Sequence, residues 1–181
     1  MPKDRKIDMV ILGLLFHEDL TGYDIKKRID GAISFFWKGS FGSIYPSLSA
    51  MENSGLIGKC KTDGAGGREK ILYRITAKGK RLLKDWISDE QASNDLKYET
   101  LLKLYFGGAQ RPEISLHNVE VFESGIKADL ELLKMYKANL EKQTDNTDHI
   151  HYLLTVMFGI ETYGAYLKWC SKAKKILTEM I

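Results

Sequence analysis

The sequence predicts a mostly α-helical protein with one β-hairpin in its N-terminal half. Apolar residues recur every three or four positions through most of the 181 residues, and only residues 56–75 alternate as strands do, around a glycine-rich turn at 64–67. A polar stretch at 88–95 has no apolar period and separates two expected domains, 1–90 and 91–181. Three helices, a hairpin wing and a closing helix follow the order of a winged helix-turn-helix domain, and the second half predicts a helical dimerisation domain.

The composition is that of an ordinary globular protein, with 44% hydrophobic and 28% charged residues. Asp4, Asp8 and Glu18 surround the first apolar run, so we expect no secretory signal there and a cytoplasmic protein. Cys60 and Cys170 have no partner spacing for a metal and are expected to be reduced thiols.

The first two predicted helices begin the N-terminal domain. Apolar residues at 7, 10, 11, 14 and 15 give helix one a single buried stripe. Thr21 is placed to cap helix two, whose expected buried positions are Ile25, Ile29 and Ile33. Residues 26–28 are basic and take the outer surface, where most such runs are only solvated. Because the second helix of this fold crosses the DNA backbone, Lys26 is predicted to contact a phosphate.

The third helix is the predicted recognition helix. Apolar residues at 44, 48 and 51 recur at helical spacing and should be buried. Because proline disrupts a helix interior, a start near Ser43, which places Pro46 in the first turn, is favoured over a start at Ser40. The opposite face is expected to carry Gly42, Pro46, Ser49 and Asn53, with Tyr45 on its flank.

The hairpin and the helix after it are expected to supply most of the positive charge. Nine Lys and Arg residues lie between Ile57 and Lys84, against two acidic residues. On an arbitrary hairpin such charges merely solvate the surface, but beside a helix-turn-helix pattern they indicate phosphate contacts. The predicted contacts on the strands and turn are Lys59, Lys61, Arg68 and Lys70.

A fourth helix closes the first domain, and the second domain is expected to be helical throughout. Thr76 is placed to cap the fourth helix, with Leu82, Leu83, Trp86 and Ile87 as its apolar positions. A short buried helix is then expected at 101–106 and a long helix at 116–142, whose near-heptad stripe favours a helical partner. That stripe comprises Val119, Phe122, Ile126, Leu130, Leu133 and Leu140.

The last helix is predicted at about 149–179, with Asp148 as its cap. It is apolar on more than one side, but Glu161 and Lys168 interrupt the run and exclude a transmembrane span. One side is expected to cover its own domain and the other to meet the same helix of a second subunit. The predicted dimer contacts are Leu153, Met157, Ile160, Tyr163 and Leu167.

The sequence resembles the PadR family of bacterial transcriptional regulators over residues 7–88. The resemblance rests on Leu20-Thr21-Gly22-Tyr23, Ile44-Tyr45-Pro46 with Leu48, Gly55-Leu56-Ile57, and Tyr73-Arg74-Ile75-Thr76-Ala77-Lys78-Gly79. It implies a homodimeric repressor that binds a pseudo-palindromic operator and is released by a small aromatic effector bound near the domain junction. It departs from the family where a Lys or Arg often follows the Tyr-Pro pair, since this chain has Ser47, Ser49 and Ala50 there.

These considerations together give a set of predicted site residues. For DNA they are Lys26, Ser40, Ser43, Tyr45, Pro46, Ser49, Asn53, Lys59, Lys61, Arg68 and Lys70. For an aromatic effector they are Trp37, Trp86 and Trp169. The neutral recognition helix has no obvious bidentate reader of guanine, so sequence choice is expected to rest on serine, Asn53, a thymine-methyl contact of Ala50, or DNA shape.

Two other classes of function are alternatives to a DNA-binding regulator. A winged-helix module that binds protein instead of DNA is the first, because the recognition helix is neutral. An enzyme is the second, but the four histidines are scattered and no converging catalytic set is present. His149 and His151 diverge on a helix, so they are a poor metal pair, and no catalytic residue, metal, cofactor or membrane contact is expected.

Overall fold

The computed structural model describes residues 6–37, 44–63, 69–90, 94, 97–142 and 147–181. They belong to two compact units, Met1–Ser93 and Asn94–Ile181. The boundary expected after residue 90 lies close to this division. Among the described residues no helix is long and apolar enough to cross a membrane.

The first unit combines helices with a small antiparallel sheet. Its elements are α1 (Lys6–Leu15), β1 (Leu20–Thr21), α2 (Gly22–Asp30), a 3-10 turn (Ala32–Phe35), α3 (Ile44–Asn53), β2 (Ile57–Asp63), β3 (Glu69–Ile75) and α4 (Ala77–Ser88). The strand order is β1-β3-β2, with Lys59 opposite Tyr73 in the hairpin. These elements confirm the predicted winged helix-turn-helix class.

One strand is not predicted by the sequence. Leu20–Thr21 forms β1 and pairs antiparallel with β3, with Leu20 opposite Tyr73. The sequence pattern indicates only a break between helices here, because two residues are too few to show alternation. The strand matters because it holds the start of α2 against the wing.

Helical spacing predicts the core positions of α3 and most of those of α2, but only part of those of α1. Val10 and Leu14 of the predicted stripe are half-buried, whereas Met9 and Leu12, which the prediction omits, are buried. The buried residues of α1, α2 and α3 pack together with apolar residues of the sheet and with Leu83 of α4. Gly55, the second residue after α3, adopts φ 71°, a left-handed conformation that favours glycine at a helix C-terminus. Thr76 caps α4 as expected, with its hydroxyl accepting from the Gly79 backbone N–H at 3.1 Å.

The last turn of α4 departs from the prediction. Trp86 and Ile87 are apolar positions of the predicted stripe, yet they are 44% and 67% exposed. The core that α4 covers includes Leu82 and Leu83, but the helix continues past it. Both apolar side chains of the last turn are therefore available to other partners.

The second unit is a helical hairpin preceded by a short helix. Its elements are α5 (Glu99–Tyr105), a 3-10 turn (Gly107–Ala109), α6 (Pro112–Leu140) and α7 (Thr147–Thr178). α6 and α7 run antiparallel, since Lys174 binds Glu123 near one end of the pair and Gly159 lies against Leu133 nearer the other. The predicted stripe is largely confirmed, with Val119, Ile126, Leu130 and Leu133 buried and the other two residues half-buried.

Three details of the second unit differ from the prediction. α5 is expected to be buried, but none of its residues is, because the described part of the chain places no apolar surface over its outer face. α6 begins at Pro112 and not near 116, since proline fits the first turn of a helix. Asp148 lies inside the first turn of α7 and is not its cap, although its charge still suits a helix N-terminus.

Candidate DNA-binding surface

The exposed face of α3 consists of small and polar side chains. Pro46, Ser49 and Asn53 lie on this face, as the spacing predicts, together with Ala50, and Gly42 lies outside the described residues. Ser47 is fully buried, however, so this serine is not available to contact a base. Glu52 is the one charged residue of α3, and no basic residue follows the Tyr-Pro pair within the helix. The helix thus offers shape and hydrogen-bonding groups but no positive charge.

Tyr45 stands at the edge of this face and lies against Gly22 of α2. A Cβ atom at position 22 would lie 2.8 Å from Cε1 and 3.4 Å from Cζ of the Tyr45 ring. The tyrosine is nevertheless 61% exposed. The absence of a side chain at Gly22 therefore lets the ring approach the start of α2 closely while much of it faces solvent.

A shallow groove joins α2, α3 and the wing beside Tyr45. Its volume is about 560 Å³, and its lining residues are Thr21, Gly22, Tyr23, Asp24, Tyr45, Lys70, Ile71 and Tyr73. Tyr23 belongs to the family motif but is not among the predicted DNA contacts, although its side chain is 69% exposed. The groove brings Tyr45 and Lys70 together, two of the predicted site residues.

A reciprocal capping box fixes the backbone on one side of the groove. The Thr21 hydroxyl accepts from the Asp24 backbone N–H at 3.1 Å, and the Asp24 carboxylate accepts from the Thr21 backbone N–H at 3.4 Å. The Thr21 hydroxyl also donates to that carboxylate and holds the pKa of Asp24 below its usual range, helped by the charges of Lys70 and Arg28. The groove is therefore lined by the ionised carboxylate of Asp24 as well as by Lys70.

The outer surface of α2 carries two lysines that form no ion pair with any described residue. Lys26 and Lys27 are exposed and have no acidic partner in the described part of the chain. Arg28 differs, because its guanidinium binds Glu18 at 2.7 Å. Within the described residues, Lys26 and Lys27 are thus the members of this basic run whose charge is not paired.

Several cations around the wing are bound to local partners. The Lys59 ammonium lies 2.5 Å from the Glu52 carboxylate, and the Arg74 guanidinium donates from both Nε and Nη2 to the Asp19 carboxylate. Lys78 donates to the Ser54 carbonyl at 2.8 Å. The basic excess counted from the sequence therefore overstates the free charge, because spacing alone does not show which cations are paired.

Some predicted DNA contacts cannot be placed. Ser40, Ser43 and Arg68 lie outside the described residues, and for Lys61 the backbone is described as part of β2 but the side chain is not. Those that can be placed occupy α2, α3 and the hairpin of one unit. They are Lys26, Tyr45, Pro46, Ser49, Asn53, Lys59 and Lys70.

Aromatic side chains form a cluster inside the second unit. Phe122 of α6 contacts Trp169 and Tyr166 of α7 at centroid distances of 6.2 and 6.1 Å. Tyr98, which precedes α5, packs edge-on against Phe122 and shares a hydrogen bond with the Tyr166 hydroxyl. Burial, followed by that hydrogen bond, raises the pKa of Tyr98 well above its usual value. Tyr163 stacks on Tyr166 at 5.8 Å.

The three predicted effector tryptophans are in different environments. Trp169 belongs to the aromatic cluster and is half-buried. Trp37 is half-buried against the core of the first unit, and Trp86 is exposed on α4. Trp169 is therefore the one of the three that packs within a cluster of other aromatic rings.

The predicted dimer contacts of α7 differ in how much of each side chain is exposed. Tyr163 is only 7% exposed because it packs within its own chain, so it has little surface left for a partner. Met157 is 43% exposed, and Leu153, Ile160 and Leu167 are half-buried. Phe158, which the prediction omits, is more exposed than any of these.

Matches to known protein families cover both the N-terminal and the C-terminal part of the chain. The transcriptional regulator PadR-like family model matches residues 11–85, and the virulence activator alpha C-terminal model matches residues 96–178. The negative transcriptional regulator PadR of Bacillus subtilis is 35% identical over 175 residues, covering 91% of this chain and 93% of the relative. The chain belongs to the PadR-like family of transcriptional regulators.

Two crystal structures of Bacillus subtilis PadR resemble this PadR-like chain along its length. The complex of that protein with operator DNA gives a TM-score of 0.79 at 28% identity, covering 96% of this chain and 99% of the other. Its complex with p-coumaric acid gives a TM-score of 0.70 at 27% identity with the same coverage. The family resemblance inferred from the short motifs is thereby confirmed.

Proposed function

We propose that this chain is a homodimeric repressor that binds operator DNA and is released from it by a small aromatic molecule. The observation that carries the proposal is its similarity, over nearly the whole of both chains, to a negative transcriptional regulator whose structures include operator DNA and p-coumaric acid. The exposed surface of α3 with its flanking lysines is consistent with that role. The protein would act by binding and not by catalysis, in the cytoplasm.

Different elements of the first unit would make different kinds of contact with DNA. α3 would enter the major groove, where Ser49, Ala50 and Asn53 face the base edges and Tyr45 reaches a phosphate. Because α3 contributes no cation, the electrostatic part of the affinity has to come from Lys26 and Lys70 and from neighbouring basic residues. Sequence choice would then depend strongly on shape and on a few hydrogen bonds.

Dimerisation is proposed to place two such surfaces on one operator. α7 exposes Leu154, Met157 and Phe158, and water covers this apolar surface poorly. Pairing with a second copy would bury it and set two half-sites about 34 Å apart, one turn of DNA. Binding at the two half-sites would then reinforce each other.

The aromatic cluster of the second unit is the proposed place for an effector. Trp169, Phe122 and Tyr166 present ring edges and faces suited to a flat ligand, while the phenolic hydroxyls supply hydrogen bonds. Trp37 and Trp86 remain alternatives. Linkage requires that operator DNA weaken effector binding by the factor by which the effector weakens DNA binding.

A protein-binding role without DNA is the second candidate function. The observation that favours it is the absence of any basic residue in α3 together with the exposed apolar pair Trp86 and Ile87. Such a module would bind its partner with little dependence on salt and would ignore duplex DNA.

The deciding experiment is a titration of the protein's own upstream DNA at several salt concentrations. We expect affinity to fall steeply with salt, and Lys70→Gln to weaken binding on every sequence while lowering the salt slope by about 0.9. Lys172→Gln, an exposed lysine of α7, is the matched control and should leave the slope unchanged. Binding that is absent, or independent of salt, would refute a DNA-binding function.

The effector is tested by quenching of tryptophan fluorescence with p-coumaric acid and related phenolic acids. Trp169→Phe should abolish the quenching if the cluster is the site, and Trp86→Phe should preserve it. Equal ligand affinity with and without operator DNA would show that the compound is not an effector.

A further inference from the structure

The charged residue of α3 is paired with a cation of the wing. Glu52 Oε2 lies 2.5 Å from Lys59 Nζ, and the two side chains are 32% and 40% exposed. The Lys59 ammonium also lies 6.0 Å from the centre of the Tyr73 ring, which lines the groove beside Tyr45. This ion pair therefore joins the recognition helix to the wing on the candidate DNA-binding surface.

We infer that Glu52 is an internal competitor of DNA for Lys59, so that this ion pair limits the affinity of the protein for every duplex. The inference rests on the proposed DNA-binding function. It assigns to Glu52 a role opposite to that of the surrounding basic residues, which attract phosphates.

The competition follows from what DNA binding has to displace. A phosphate that engages Lys59 replaces the Glu52 carboxylate, whereas a phosphate that engages Lys26 replaces only water and counter-ions. The displaced carboxylate then lies close to the DNA backbone, where like charges repel. Loss of the ion pair and repulsion of the carboxylate both involve the DNA backbone and not the base edges. They therefore weaken specific and non-specific binding equally.

The electrostatic environment of Lys59 in the DNA-free protein agrees with competition between Glu52 and DNA for this lysine. Its hydrogen bond with Glu52 raises the pKa of the Lys59 ammonium, so the lysine stays charged while its charge is locally neutralised. Among the described residues Lys70 has no such ion pair, although the charge of Asp24 acts on it. Lys59 should therefore contribute less to DNA affinity than Lys70 for as long as Glu52 is present.

The experiment compares Glu52→Gln, Lys59→Gln and the double variant with the unmodified protein. Fluorescence anisotropy measures binding to the protein's own upstream DNA and to a scrambled duplex of equal length, over a range of KCl concentrations. Glu131→Gln is the matched control, because it removes the same charge from an exposed pair with Lys134 in the second unit. Circular dichroism establishes that each variant is folded.

We expect Glu52→Gln to raise affinity for both duplexes by the same factor, roughly two- to fivefold, the range of an exposed ion pair. Its salt slope should steepen by about 0.9, the signature of one more phosphate contact. In the Lys59→Gln background the same substitution should no longer steepen the slope, and Glu131→Gln should leave both quantities unchanged.

Three results would overturn the inference while leaving DNA binding intact. Weaker binding of Glu52→Gln to both duplexes would make the ion pair a brace that positions the wing. Weaker binding to the upstream DNA alone would make Glu52 a reader of cytosine, whose amino group donates to a carboxylate. Unchanged affinity for both would show that the carboxylate does not compete. If the unmodified protein binds neither duplex, the proposed function fails together with the inference.

Discussion

Replacing Gly22 by alanine should weaken DNA binding through Tyr45 without unfolding the protein. The new Cβ would lie 2.8 Å from Tyr45 Cε1 and 3.4 Å from Leu48 Cδ1. Carbon atoms in ordinary contact are about 3.5–4.0 Å apart, so the ring has to withdraw by roughly 1 Å. Because Tyr45 is 61% exposed, it can do so by turning toward solvent.

The expected magnitudes follow from this displacement. Alanine is favoured over glycine in a helix by about 0.5–1 kcal/mol, which offsets much of the crowding, so the free energy of unfolding should change by less than about 1 kcal/mol. A hydroxyl moved by roughly 1 Å loses its hydrogen bond, since such bonds span only about 2.5–3.0 Å. A bond to a charged phosphate is worth about 1.5–3 kcal/mol, so affinity should fall roughly tenfold or more.

The assay is a double-mutant cycle on DNA affinity, with urea unfolding measured in parallel. Tyr45→Phe removes the hydroxyl, so Gly22→Ala should cost nothing further in that background. Gly13→Ala is the matched control, because a Cβ at Gly13 of α1 would meet no atom within 4 Å. If Gly22→Ala lowers affinity equally with and without the Tyr45→Phe substitution, the argument is refuted, since Gly22 then acts independently of the tyrosine hydroxyl.

Three further predictions concern stability and assembly. Thr21→Val removes the cap of α2 and should lower the free energy of unfolding by about 1 kcal/mol at pH 7. The difference from the unmodified protein should shrink in urea titrations as the pH is lowered below the usual pKa of an aspartate. The lowered pKa of Asp24 contributes stability that is present above the unfolded-state pKa and is lost as the pH falls through the folded-state pKa. Met157→Glu should convert the dimer to a monomer in sedimentation experiments, and a persistent dimer would exclude this face of α7. Glu123→Gln removes a poorly exposed carboxylate that pairs with both Lys174 and Lys127. It should cost about 1–3 kcal/mol in urea unfolding, against less than about 0.5 kcal/mol for the exposed Glu131→Gln.

Periodicity and capping signals predict the parts of the fold that depend on local sequence. The stripe of α6 and the Thr76 cap of α4 are encoded within a few turns of helix, so both are evident from spacing alone. β1 is not, because Leu20 and Thr21 become a strand only through pairing with β3. The exposure of α5 is not evident from spacing either. Apolar residues in a helix predict that the helix is buried, but they do not identify what covers it.

The candidate site shows the same division between local and tertiary information. The exposed face of α3 follows from helical spacing, which also places Tyr45 at its flank. The contact of Tyr45 with Gly22 and the pairing of Lys59 with Glu52 each join residues from different elements. Neither contact can be predicted from the spacing within one element or from a count of charges. Which residues contact DNA stays a prediction for the experiments above.

Two contacts at different positions along the helices fix the register of α6 against α7. Near one end Glu123 binds Lys174 at 2.6 Å, and nearer the other Leu133 lies against the bare backbone of Gly159, where a Cβ would be only 3.0 Å away. A shift by one helical turn, about 5.4 Å, would break both contacts at once. The two helices should therefore resist sliding past each other, and a conformational signal that reaches this unit would move them together as one rigid body.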